Sequence, residues 1–208
     1  MINNKDNRMN TIYTTNEGYN VEIIDYINKD HVVIRFCDYP VIKTCTMQNI
    51  NNGQIKNPYH RSVLNIGYFG VGPYKARFNG EKTAYYVKWM SMMNRCYNPK
   101  VHQMEKVYEK CEVCEEWHNF QNFAEWYITH IYQCEYKLEL DKDFFVENNT
   151  IYSPYTCCFL PEEINCNLNY TRHNINYLIK YYEKYHTHIP YYISEKLRGM
   201  IDEERKSM

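Results

Sequence analysis

The sequence predicts an α+β protein built in three parts. Three observations carry this reading. β-Branched and aromatic runs gather before residue 80, as in paired strands. From Lys82 onward apolar residues recur at helical spacing instead. Between Leu140 and Asn165 the helical pattern is interrupted by an acidic pair, an Asn-rich turn and a Tyr-Ser-Pro turn. The expected parts are a small β-rich N-terminal module (1–80), a central module (81–169) and a Tyr-rich helical tail (170–208).

Residues 1–10 are polar and expected to fray. YNVEIIDYI and HVVIRF, separated by NKD, read as a hairpin: Val21, Ile23 and Tyr26 lie on one strand after a bulge, and Val32, Ile34 and Phe36 on the other. VIKTCTM is a candidate third strand, and NNGQIKNPY is rich in turn residues. Residues 64–80 hold four of the seven glycines. The run Gly67 to Gly72 lacks the GxGxxG spacing of a dinucleotide fingerprint and no βαβ unit follows it, so it reads as a Gly-rich strand or a junction. Tyr85, Trp89, Met92, Met93 and Cys96 form one helical stripe, and Phe120, Phe123, Trp126 or Tyr127, and Ile131 form a second. EEIN starts a further helix, and the tail is helical in two pieces split by Pro190, with Arg198, Arg205 and Lys206 toward its end.

The chain has 208 residues, 44% of them hydrophobic, enough for a real core. Tyr is exceptional at 23 residues and Asn is also abundant. The codon bias of an AT-rich genome accounts for that composition; aromatic surface for stacking on bases or partners is the functional alternative. A net charge of -1 excludes a strongly basic nucleic-acid binder. The charge is uneven: +3 over residues 1–80, -6 over 81–166 and +2 over 167–208. An acidic middle repels phosphate backbones unless cations or local basic groups offset it. The N-terminus MINNKDNRMN lacks an apolar signal core, and no run approaches the roughly 18 apolar residues of a membrane span. The expected compartment is therefore cytoplasmic, with the nine cysteines reduced or bound to metal.

Four segments occur in order: WMSMMNRCYN, CEVCEEWHNFQNFAEW, LDKDFFVENN and YSPYTCCFLPEEIN. In that order and spacing they resemble the HNH-like endonucleases encoded by phages, over roughly 75 residues from Trp89 to Asn165. Residues 18–75 also look like the extension that precedes this block in such proteins. The tail beyond Asn167 carries no such likeness. The resemblance implies a ββα-metal hairpin holding one Mg²⁺ or Mn²⁺ ion, with double-stranded DNA as substrate. It places Asp141 at the metal carboxylate, with Asp143 beside it, Asn165 at the helix ligand and Asn148 or Asn149 in the hairpin turn. Two positions depart from the pattern. Lys142 stands where the general-base His belongs, and lysine's ordinary pKa near 10 makes it a poor base at neutral pH. Thr156 stands where the loop-bracing Asn belongs. His118 is a candidate base from elsewhere in the chain, or a surface or capping histidine. Lys142 could instead neutralise a phosphate.

Cys111 and Cys114 form a CxxC, the minimal bite for tetrahedral zinc. A structural Zn²⁺ site needs a second pair, drawn from Cys96 with Cys157 or from Cys157-Cys158. The favoured set is Cys96, Cys111, Cys114 and Cys157; the alternative is buried reduced thiols. Cys37, Cys45, Cys134 and Cys166 read as apolar fillers. Arg35, Lys56, Arg61, Lys75 and Arg77, with Lys43 and interleaved tyrosines, form a candidate nucleic-acid face, or a solvated sheet face. Tyr177, Tyr181, Tyr182, Tyr185, Tyr191 and Tyr192 recur at helical spacing and are expected to bury against the body or in a homodimer.

Two functions follow from these features. One is a metal-dependent DNA endonuclease of homing type, working in the host cytoplasm. The other is a binding protein on a retired nuclease scaffold, whose partner is DNA or a host protein that it blocks. A virion-associated accessory protein is a third and blander reading.

Overall fold

The computed structural model describes residues 7–208. Helices and several small sheets coexist, so the α+β class stands. Contacts divide the chain into two compact units, Met1–His60 and Arg61–Met208.

In the first unit, β1 (Ile12–Thr14), β2 (Asn20–Asn28), β3 (His31–Phe36) and β4 (Ile42–Cys45) form an antiparallel sheet in chain order. Alternation puts Val21, Ile23, Val32, Ile34 and Phe36 on one face, where they are buried with Val41, Ile50 and Ile55. Ile23 faces Ile34 and Tyr26 faces Val32; the register shift between Ile23 and Asp25 is the bulge that the sequence called for. β4 stops at Cys45 because Thr46 caps the short helix α1 (Met47–Asn51), its hydroxyl accepting the Asn49 N–H at 3.1 Å. The third strand is thus shorter than VIKTCTM.

The second unit opens with a two-stranded turn, β5 (Arg77–Phe78) and β6 (Glu81–Lys82). It continues through α2 (Ala84–Tyr97), α3 (Pro99–Met104), a 3₁₀ turn at Lys106–Tyr108, β7 (Glu112–Val113), α4 (Glu115–His118) and α5 (Phe120–His130). Next come β8 (Leu138–Asp141), β9 (Ile151–Tyr152), β10 (Cys158–Pro161) and α6 (Glu162–Thr171), then α7 (Ile175–Tyr185) and α8 (Tyr191–Ser207). The helical stripes become one core: Trp89, Met92, Met93 and Cys96 of α2 pack with Phe120, Phe123 and Trp126 of α5 around the buried Trp117. Trp89 resolves its polar edge by donating Nε1–H to the Trp117 carbonyl at 2.8 Å.

The boundary falls at residue 60, not 80, because the Gly-rich segment belongs to this core. Val63 is buried in it. Tyr68 donates its N–H to the His118 carbonyl and accepts the Phe120 N–H, both at 2.9 Å. The Gln121 amide donates to the carbonyls of Phe69 and Tyr74. Glycine is required for that docking. Gly70 has φ +68°, and a Cβ there would meet Asn119 Oδ1 at 2.1 Å, the same atom that caps α5.

The tail is part of the second unit as well. Leu168, Leu178, Ile193 and Leu197 form a second core with Phe144 and Leu160 of the hairpin region. α7 and α8 are separated at Pro190, as expected. Tyr181 and Tyr185 are buried within the chain itself, whereas Tyr177, Tyr191 and Tyr192 are exposed. Among the described residues no helix is long and apolar enough to cross a membrane.

Glu163 ties α6 to α7. It accepts hydrogen bonds from Lys180 at 3.0 Å, Lys184 at 2.5 Å and the Tyr185 hydroxyl at 2.7 Å. Those bonds, Lys184's first, lower its pKa to about 2. The stabilisation is therefore present above the ordinary carboxylate value of 4.5 and lost as pH falls toward 2. Glu163→Gln is expected to melt at a slightly lower temperature than wild type at pH 7 and level with it near pH 2; thermal melts across that range check it.

Candidate functional site

β8 and β10 pair antiparallel, with Asp141 opposite Cys158 and Leu140 opposite Phe159. α6 starts at once after Pro161. Strand, strand and helix are thus contiguous in space, and the apolar partners Leu140 and Phe159 anchor the hairpin in the aromatic core. Asp141 ends β8 and lines a small cleft of about 100 Å³. Lys142, Asp143, Asn165, Asn169, Arg95, Tyr108 and Tyr152 line the same cleft. Asn165 and Asn169 share a face of α6 because they are four residues apart.

Backbone geometry fixes Asp141. Its Oδ1 accepts the N–H groups of Asp143 at 2.8 Å and Phe144 at 2.6 Å. Oδ2 takes no hydrogen bond among the described residues. Burial above all, and then the neighbouring Asp143 carboxylate, raise the Asp141 pKa to about 6, against the lowering effect of those amides and of Lys142. Lys142 is itself only 8% exposed. Its ammonium donates to both Asp143 oxygens, at 2.8 and 2.7 Å, and lies 5.7 Å from the Tyr152 ring centre. One of the two expected metal carboxylates is therefore committed to an internal cation.

The loop between the strands is braced at several points. Asn148 sits at φ 58°, a left-handed conformation that Asn tolerates at a turn. Asn149 donates its amide to the Lys142 carbonyl at 2.8 Å and the Ile151 carbonyl at 2.7 Å. Thr156 donates to Ile151 at 3.0 Å. The bracing amide that the sequence reading missed at Thr156 is thus supplied by Asn149. Arg172, buried at the end of α6, donates to the carbonyls of Asp143 at 2.5 Å and Phe144 at 3.3 Å.

His118 does not line the cleft. Its Nε2 lies 3.0 Å from the Val113 carbonyl and 3.3 Å from the Tyr97 hydroxyl, and its Nδ1 is buried without a partner. Burial lowers its pKa. Packed this way, it holds α4 against its neighbours, so the candidate base is not brought to Asp141. Cys96, Cys111 and Cys157 are buried and Cys114 half-buried in the aromatic core; among the described residues no three His, Cys, Asp or Glu side chains gather to hold an ion. Of the expected fillers, Cys37 and Cys166 are exposed and Cys45 and Cys134 half-buried.

The basic residues of the proposed nucleic-acid face divide between the two units. Arg35 pairs with Glu22 across β2 and β3 at 2.6 Å, and Lys56 pairs with Glu17 at 3.1 Å. Arg61, Lys75 and Arg77 belong to the second unit, where Arg77 donates to the Gly80 carbonyl at 2.7 Å.

Three residues at or behind the cleft escaped the sequence reading: Arg95 and Asn169, which line it, and Arg172, which braces the Asp143 and Phe144 carbonyls. Asn169 was recoverable, since it repeats Asn165 one helical turn on. Arg95 and Arg172 read as ordinary solvated cations on amphipathic helices. The chain matches no family model, no curated protein and no solved structure.

Proposed function

We propose that this chain is an HNH-like, metal-dependent DNA endonuclease of the kind that phages encode, with its active site in the cleft at Asp141. One observation carries the reading: β8, β10 and α6 bring Asp141 and Asn165 into one small cleft, as a ββα-metal site requires. The donor set suits a hard divalent cation. Asp141 Oδ2 and the Asn165 amide oxygen would hold it, and two protein ligands would suffice for Mg²⁺ because it keeps much of its water shell. When bound, Mg²⁺ or Mn²⁺ supplies Lewis-acid stabilisation of charge on the scissile phosphate.

The chain's own groups do the rest. The Asp143 and Phe144 amides fix Asp141 through Oδ1 and leave Oδ2 without a hydrogen bond among the described residues. Asn149 and Arg172 hold the loop that carries those amides. Lys142 keeps Asp143 neutralised beside the site. Relaxed nicking of supercoiled plasmid is expected with Mn²⁺ and more weakly with Mg²⁺, and Asp141→Ala is expected to abolish it. Cleavage without a divalent cation, or cleavage untouched by Asp141→Ala, would remove the proposal.

One observation favours a second reading, a nuclease-derived protein that binds DNA or a host protein without cutting. No histidine lines the cleft among the described residues, and Lys142 occupies the position of the base. Sequence-independent retention of duplex DNA in EDTA, with no nicking under Mn²⁺, is the result that reading expects.

A further inference from the structure

Four charged side chains line the cleft. Lys142 and Asp143 cancel as an ion pair. Asp141 and Arg95 remain, and among the described residues no ion pair joins them. Each is held elsewhere: Asp141 by two backbone amides, and Arg95 by aromatic groups. The Arg95 guanidinium lies 5.5 Å from the Tyr108 ring centre and beside the Tyr152 phenol. Among the described residues it has no carboxylate within ion-pair distance. A half-buried guanidinium normally finds an anion, because a desolvated charge left unpaired is costly. A hydrogen bond to Tyr152, the Tyr108 ring and the more distant Glu139 carboxylate offset part of that cost, and the remaining donors of the planar fork have no anion within ion-pair distance among the described residues. The cleft volume, about 100 Å³, takes about three waters or one tetrahedral oxyanion. Asn169 on α6 adds an amide donor to the lining.

We infer that Arg95 is the centre of an oxyanion site, built to take a phosphate group in the cleft that Asp141 also lines. The ligand chemistry is a phosphate oxygen pair gripped by a planar fork, from a nucleic-acid backbone or from free phosphate. The inference rests on the proposed function only for the first of those sources. It does not depend on a metal.

Calorimetric titration of inorganic phosphate into the full chain, in EDTA, tests it. Wild type is expected to show one saturable site. Arg95→Gln is expected to bind about tenfold more weakly or worse, the scale of one lost charge-assisted hydrogen bond. Arg95→Lys keeps the charge but not the fork, and is expected to fall between the two. A short DNA duplex then separates the sources. Displacement of phosphate by the duplex assigns the site to a nucleic-acid backbone, and no displacement assigns it to free phosphate. Unchanged phosphate affinity in Arg95→Gln, or no saturable binding by wild type, overturns the inference. Should Arg95→Gln not fold, Arg95→Lys carries the test, and unchanged affinity there overturns it equally. Mn²⁺ titration of Arg95→Gln keeps the two proposals apart: retained Mn²⁺ binding with unchanged phosphate binding sinks this inference and leaves the metal site standing.

Discussion

Lys142→Met is expected to destabilise the second unit by about 3–5 kcal/mol at neutral pH in EDTA, the cost of stripping one partner from a buried ion pair. The Lys142 ammonium is the only cation within ion-pair distance of Asp143 among the described residues, and it also lowers the charge cost at Asp141. Methionine keeps the length and apolar contact of the stem while deleting the charge. Two carboxylates would then share one desolvated cleft with no ammonium between them. A divalent cation can replace that charge, so Mn²⁺ is expected to restore much of the lost stability and to raise the variant's melting temperature more than wild type's. Saturation at a hundredfold excess over Kd contributes about 2.7 kcal/mol. Thermal melts with EDTA and with Mn²⁺ check both halves. Equal melting of variant and wild type in EDTA would show that Lys142 does not neutralise the site.

Asp141→Asn is expected to do the opposite: it stabilises the fold while removing function. Asn keeps an oxygen for the Asp143 and Phe144 amides, but carries no charge into the buried cleft. The Asp141 pKa stands at about 6 against an ordinary 3.8. A raised carboxyl contributes its stability fully below 3.8 and loses it as pH rises through about 6, a swing of about 3 kcal/mol. At pH 7 the wild type bears that full penalty and the Asn variant does not. Its expected gain is about 1–3 kcal/mol, a rise of several degrees in Tm. Near pH 4, where Asp141 is protonated in the folded chain, the two proteins are expected to melt close together. A variant less stable than wild type at pH 7 would mean that the charge is compensated by contacts other than those described. Stability gained where activity is lost marks a site maintained for chemistry.

Much of the fold was legible because its signals are local. The alternation of Val21, Ile23, Val32, Ile34 and Phe36 specified the first sheet, and the spacing of Trp89, Met92, Met93 and Cys96 specified α2. Pro190 marked the break in the tail. The boundary at residue 60 was not legible, because residues 61–80 join their unit through backbone hydrogen bonds to His118 and Phe120, some fifty positions away, which no local pattern encodes. In the cleft, Asp141 and Asn165 came from an ordered set of short segments. Arg95 did not, because a helix pattern scores an arginine as solvent-facing whether or not a neighbouring loop closes over it. His118 misled for the related reason that a histidine's usefulness depends on what its nitrogens face. Here they face a carbonyl, a phenol and the interior.

Asp141, at the end of β8, is proposed to hold a divalent cation together with Asn165 of α6. Titration of Mn²⁺ into wild type and Asp141→Asn, followed by calorimetry at pH 7, addresses it most directly. One saturable site in wild type that disappears in a folded Asp141→Asn is the result expected. Equal Mn²⁺ binding by both proteins, or none by the folded wild type, would contradict it.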